Sequence, residues 1–199
     1  MDCERVSISG RAGETQLADD LRKLVERCLE GDQNAMIQLV ERYQSAVLGF
    51  CYRMLGQRQD AEDAAQETFV RVLRSLSRWD SGRDFRPWLM AIAANRCRTL
   101  AASRRRRPIP CTIQEDQFQD ESPDWQSADH LDEEIQLGLS RINPDQRQAF
   151  VLFHEHHLSY EQIAEALGCP LGTAKTWIYR ARRQLAGWLQ KREIVPGQH

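Results

Sequence analysis

At 199 residues and 41% hydrophobic content, the chain has room for one large domain or two small ones, with enough apolar material for real cores. No apolar run approaches membrane-spanning length, and residues 1–16 carry neither an apolar core nor a cleavage-site pattern, so neither membrane insertion nor a signal peptide is expected. A net charge of −2 does not by itself mark a partner of nucleic acid; the local distribution of charge is more telling than the sum.

Residues 1–16 are polar and are expected to form a flexible N-terminus. Helical periodicity begins near Leu17, with Leu21, Leu24, Val25, Cys28 and Leu29 on one face. Gly31 breaks it, and Asp32 is placed to cap a long amphipathic helix. That helix carries Ala35, Ile37, Leu39, Val40, Tyr43, Val47, Phe50, Cys51 and Leu55 and ends at Gly56. Asp60 starts the next helix, whose inward residues are Ala61, Ala65, Phe69, Val72, Leu73 and Leu76, up to Trp79. Residues 80–84 read as a turn. Phe85, Trp88, Leu89 and Ile92 stripe a further helix that tolerates Pro87 in its first turn and runs into the arginines 104–107. The prolines and acidic residues of 109–130 predict a linker. Periodicity resumes at Leu131 with Ile135, Leu139 and Ile142. Asn143 and Pro144 open a helix with Ala149, Phe150, Leu152 and Phe153 as its core. No strand-like alternation of useful length occurs, so the fold class is all-α: two small helical domains, 17–108 and 131–192, joined by the linker, with a short tail at 193–199.

The charge is organised along the same plan. Arg83, Arg86, Arg96, Arg98 and the arginines 104–107 face a single acid, Asp84, whereas residues 114–134 hold acids and no Lys or Arg. Every charge between Thr173 and Arg192 is positive. Two basic regions flanking an acidic one steer a polyanion through local fields. The six cysteines are scattered with no CxxC pair, which speaks for reduced thiols in a cytoplasmic protein and against a disulfide framework or zinc ribbon.

The stretch 159–185 is the most specific. Ser159 is placed as an N-cap; Ile163, Ala164 and Leu167 make an apolar stripe; Gly168 closes the helix; and Pro170 blocks its continuation. Thr173 is placed to cap a second short helix on which Ala174, Ile178, Ala181 and Leu185 fall at helical spacing. Its remaining faces carry Lys175, Thr176, Tyr179, Arg180, Arg182 and Arg183. This is a helix-turn-helix whose second helix suits the DNA major groove, where cations meet phosphates and side-chain donors meet base edges.

The order of segments resembles the bacterial sigma-70 family of RNA polymerase initiation factors, in its small extracytoplasmic-function (ECF) group. Residues 60–69, DAEDAAQETF, are similar to that family's core-polymerase-binding helix. Residues 85–96, FRPWLMAIAANR, are similar to its promoter-melting and minus-ten segment. Residues 144–150, 158–164 and 168–173 together are similar to its minus-thirty-five-reading domain. The resemblance implies a sigma region 2 domain (17–108) and a sigma region 4 domain (131–192). It also implies three partners: core RNA polymerase, promoter DNA and an anti-sigma factor. Asp63, Gln66 and Glu67, on one helical face opposite Phe69, would dock on polymerase. Asn95 would read an extruded base, and the 81–84 turn would border its pocket. Arg83, Arg96, Arg98, Arg104 and Arg105 would follow the DNA backbone. Thr173, Lys175, Thr176, Tyr179, Arg180 and Arg183 would meet the upstream promoter element. Trp88 invites a base-stacking role, but its spacing with Phe85, Leu89 and Ile92 assigns it to the core.

His154, His156, His157 and Cys169 invite a metal site, but their spacing matches no compact zinc motif, and solvent-exposed histidines are expected. No phosphate-binding glycine loop, catalytic triad order or carboxylate pair stands out, so neither a cofactor nor an enzyme is expected. Two rival readings remain at this level: a transcriptional regulator with an N-terminal helical dimerisation or sensing domain, and a metal-dependent sensor.

Overall fold

The computed structural model describes residues 19–106 and 126–192, with the side chains of 19–103 and 131–192. The N-terminal segment 1–16, the acidic linker as far as residue 125 and the tail 193–199 lie outside the described residues, as do the side chains of Arg104 and Arg105. All regular structure among the described residues is helical. The elements are α1 (19–29), α2 (Gln33–Leu55), α3 (Arg58–Ser75), a 3-10 turn (Leu76–Arg78), α4 (Phe85–Arg106), α5 (Gln126–Ser140), α6 (Pro144–His154), α7 (Tyr160–Leu167) and α8 (Leu171–Lys191).

Local chemistry sets most boundaries. The Asp32 carboxylate accepts from the backbone N–H groups of Asn34 (2.9 Å) and Ala35 (3.2 Å) and so caps α2. Arg27 donates to the same carboxylate and holds its pKa below the usual range. Gly56 ends α2 in the left-handed conformation at φ 74°, open to glycine at low cost. α3 begins two residues earlier than the sequence suggests. Gln57 is its N-cap and supplies no side-chain capping bond, and Asp60 sits in the first turn, where its charge suits the helix dipole. α5 likewise starts at Gln126, inside the stretch read as linker, because its first turn is polar and carries no apolar stripe to betray it.

The N-terminal half is built from α2, α3 and α4 around Leu39, Val47, Phe50, Val72, Leu89 and Met90, all essentially inaccessible. Phe85, the first residue of α4, is enclosed by the rings of Tyr43, Trp79 and Trp88, with centroids 5.2 to 5.4 Å away. Trp88, expected in the core, packs against it but is only half-buried. The Cys97 thiol donates to the Cys51 sulfur, 3.7 Å away, inside the α2–α4 contact.

The C-terminal half wraps α5, α6 and α7 around α8. Leu139, Leu152, Ile163, Ala174, Ile178 and Ala181 form its centre. α5 can approach α8 closely because residue 138 is glycine: a Cβ there would lie 2.6 Å from the Leu185 side chain and 2.8 Å from the Trp188 ring.

The two halves pack on each other, α4 against α7 and α2 against α5 and α6. The seam is largely polar. Gln136 Nε2 donates to the Tyr52 carbonyl (3.1 Å), and Arg147 Nη1 to that of Met54 (3.0 Å). Both are last-turn carbonyls of α2, a position where helix carbonyls run short of partners; that of Tyr52 also accepts from the Gly56 N–H at 2.8 Å. Arg53 pairs with Asp132 and Glu155, and buried Gln148 donates to the Ala94 carbonyl (3.0 Å).

Candidate nucleic-acid and polymerase interfaces

The helix-turn-helix is fixed by complementary caps. Ser159 Oγ accepts from the Gln162 N–H (3.2 Å), while Gln162 Oε1 accepts from the Ser159 N–H (2.8 Å). Gly168 closes α7 at φ 65°, and the Cys169 N–H returns to the Ala164 carbonyl at 2.9 Å. Pro170, not Thr173, is the N-cap of α8. Thr173 lies inside the first turn, half-buried, its N–H bonded to the Pro170 carbonyl. Proline suits that end of a helix because its missing N–H would have had no partner there. α8 is also longer than the short helix expected, continuing to Lys191.

Ala174, Ile178, Ala181 and Leu185 bury one side of α8, which turns the opposite side outward. Lys175, Thr176, Tyr179, Arg180 and Arg183 all project there; Tyr179 is 59% exposed. Thr176, Tyr179, Arg180, Arg183 and Gln184 line an open surface groove. The Arg183 guanidinium stands 5.8 Å from the Tyr179 ring centre, and the Lys175 ammonium 5.6 Å from that of Tyr160, so aromatic faces orient both cations without neutralising them. Thr173 sits at the border of this face.

In the N-terminal half, the 81–84 turn is suspended between two aromatic anchors, half-buried Trp79 and buried Phe85. Its shape comes from Asp80, which accepts from the N–H of Gly82 through its carboxylate and of Arg83 through its carbonyl, both at 2.9 Å. Beside it lies a cavity of about 630 Å³ lined by Trp79, Arg83, Trp88, Gln162 and Glu165. Asn95 is exposed on α4, and its Oδ1 accepts from Arg98 Nη1 at 2.9 Å. Arg98 also reaches Gln148 (3.1 Å) and Asp145 (3.9 Å) on α6. Arg96 is half-buried, with its Nε enclosed and without a hydrogen-bond partner, so it is less available than sequence reading implies. Arg83 pairs with Glu165 of α7 and with Asp80, and Asp84 accepts from Gln162 (3.2 Å). The structure therefore brings Arg83, Asn95 and Arg98 to one seam, where the C-terminal half already engages both arginines.

On α3, Asp63 and Gln66 are exposed, and Glu67 is held by Arg71 at 2.8 Å. The sequence reading set Phe69 opposite this face. Instead, Gln66 and Phe69 line the same groove between α2 and α3, with Val40, Leu48, Glu62 and Ala65. Val40 and Phe69, read as core, are only half-buried, and Leu48 is 38% exposed. The signal was present in α2, whose apolar positions cover more of its circumference than one contact face can hide.

The histidine cluster meets the expectation of exposure at His154 and His157 and departs from it at His156. His154 is exposed and lies against the Phe150 ring (4.4 Å); partial desolvation and Arg182 lower its pKa. His157 is exposed. His156 is buried, because the turn that carries it enters the seam between the halves. Among the described residues, no group of three His, Cys, Asp or Glu side chains is placed to hold a metal ion, and no helix is long and apolar enough to cross a membrane.

The comparisons with known proteins agree on both halves. The family profile for Sigma-70 region 2 matches residues 39–107, and that for Sigma-70 region 4 matches residues 132–185. The chain is 33% identical over 180 residues to the RNA polymerase sigma-H factor of Pseudomonas aeruginosa, covering 85% of this chain and 93% of that protein. It is 33% identical over 190 residues to the ECF RNA polymerase sigma-E factor of Haemophilus influenzae, covering 88% and 97%. Among solved structures, CnrH in complex with the cytosolic domain of CnrY superposes with a TM-score of 0.65 at 27% identity, over 85% of this chain and 97% of that one. The chain belongs to the sigma-70 family of RNA polymerase sigma factors, in its extracytoplasmic-function group.

Proposed function

We propose that the chain acts in the cytoplasm as a dissociable initiation factor rather than an enzyme. It binds core RNA polymerase, takes it to specific promoters and assists strand opening, while the polymerase performs the chemistry. The observation that carries this reading is the outward face of α8: Lys175, Thr176, Tyr179, Arg180 and Arg183, with no acid anywhere on the helix, on a capped helix-turn-helix in a chain whose other half matches region 2. Such a face supplies phosphate contacts for position and side-chain donors for base edges.

In this reading α8 meets the upstream element. The 81–84 turn, Arg83, Asn95, Arg96 and Arg98 act at the melted region, and Arg104 and Arg105 extend the basic track. Asp63, Gln66 and Glu67 belong to the polymerase contact, and the apolar groove beside them adds burial to a charged rim, the composition of a protein-binding surface. CnrH was solved with the cytosolic domain of CnrY, and a protein partner of that kind, an anti-sigma factor, is proposed for this chain. The test is gel filtration of the purified chain with core polymerase. Co-elution at a 1:1 ratio supports the reading. A chain that ignores core enzyme yet binds duplex promoter fragments alone is a regulator of another kind.

A further inference from the structure

Helix α1 precedes the segment that the region 2 profile matches, and its inner face, Leu21, Val25 and Cys28, is buried in the hydrophobic core. Its outer face carries Arg22, whose Nε donates to the Ser81 backbone carbonyl at 2.9 Å. Arg22 Nη1 donates in turn to the Asp19 carboxylate, one turn earlier on the same helix, at 3.0 Å. The guanidinium is therefore aimed: an acid of its own helix fixes it, and it grips a turn 59 positions further along the chain.

Residues 81–84 are all exposed and belong to no helix. Exposed connections fluctuate unless their polar groups are tied down. Here the ties divide by polarity. Asp80 takes the N–H groups of Gly82 and Arg83 from within the turn. Arg22 takes the Ser81 carbonyl from a helix rooted in the core, and a bond from a cation is among the stronger ones a surface offers. We infer that Arg22 is a positioning residue for the 81–84 turn. It transmits the fixed geometry of α1 to the loop that borders the base pocket, and Asp19 acts through it. The inference rests on the role given above to that turn.

Arg22 lines a cavity of about 530 Å³ together with Arg42, Arg83, Arg86 and Asp84, so direct contact with a DNA phosphate is the competing role. The two roles differ in sign at Asp19. Removing an acid beside a phosphate contact strengthens DNA binding, whereas removing the acid that aims Arg22 loosens the turn. They differ also in salt dependence. A lost phosphate contact weakens binding to every sequence and reduces the salt slope by about one. A displaced turn alters base preference and leaves the slope as it was.

The test is transcription by holoenzyme, reconstituted with core polymerase, from a template pool randomised across the proximal promoter element, with the transcripts sequenced. Wild type should enrich particular bases there. Arg22→Ala should lower that enrichment by about tenfold at one or two positions, the scale of one base contact, and read the remaining positions as before. Asp19→Ala should move the same positions in the same direction. Arg22→Lys keeps a cationic donor and should restore most of the enrichment. Promoter binding at several salt concentrations should give Arg22→Ala the wild-type slope, and hydrogen exchange of the free chain should be faster at its 81–84 amides. Helicity is followed by circular dichroism; should Arg22→Ala lose it, Asp19→Ala decides. A uniform loss with a smaller salt slope, joined to tighter binding by Asp19→Ala, makes Arg22 a phosphate contact and overturns the inference. Wild type that selects bases in the proximal element while Arg22→Ala selects them equally refutes this inference alone. Wild type that initiates without preference there refutes the role given to the turn, and this inference with it.

Discussion

On the proposed reading, Arg180 is the residue on which base recognition by α8 turns. It projects from the outward face beside Tyr179 and Arg183, with the length and planar fork to bond a guanine edge in two places. Arg180→Ala should relax base preference at one or two positions of the upstream element, at a cost of about 1–3 kcal/mol of discrimination. Competition binding of the holoenzyme against a panel of single-base promoter variants measures it; equal losses for every variant would make Arg180 a phosphate contact. Asn95 is a second case. It is exposed, and its one described side-chain partner is Arg98. Asn95→Ala should change stability by less than about 0.5 kcal/mol. It should still allow closed complexes and abolish permanganate reactivity of unpaired thymines, with a premelted template restoring part of the activity. Normal opening of linear promoters would remove Asn95 from the mechanism. At this scale the sequence reveals residue type and helical face but not long-range burial. His156 reads as one more surface histidine because the residue that buries it, Phe50, lies over a hundred positions away. The enclosed Nε of Arg96 is hidden from the sequence for the same reason.

Among the elements, α3 carries the sharpest consequence. Its exposed side joins acids to an apolar groove, and the partner that fits is a cationic surface with an apolar centre. Asp63→Lys combined with Glu67→Lys should weaken core binding at least tenfold while helicity stays unchanged. Fluorescence anisotropy of labelled protein titrated with core, at two salt concentrations, checks it. The loss should shrink at the higher salt, because exposed charges are screened. An unchanged affinity would move the docking surface elsewhere. Helix ends were legible where a side chain or a glycine does the capping, as at Asp32, Gly56, Ser159 and Gly168. They were misplaced where no side chain caps, as at Gln57 and Pro170, neither of which gives a side-chain capping bond. The groove between α2 and α3 was missed because Val40 and Phe69 obey the core spacing and yet stop short of full burial.

At the scale of the whole molecule, the two halves were readable as separate helical bodies, since each has its own apolar stripes and its own family motif. Their contact was not. It is made by Arg53, Gln136, Arg147, Gln148 and Glu165, polar residues that periodicity assigns to solvent and that only the assembled fold turns toward one another. The central claim is that both bodies serve one act, the delivery of polymerase to promoters. Its most direct test is transcription of a genomic fragment library by purified core polymerase, with and without the chain, with transcript 5′ ends mapped by sequencing. New start sites should appear only when the chain is present, share an upstream and a proximal element at fixed spacing, and vanish with Arg180→Ala at some promoters and with Asn95→Ala at all. An identical set of start sites with and without the chain would contradict the account.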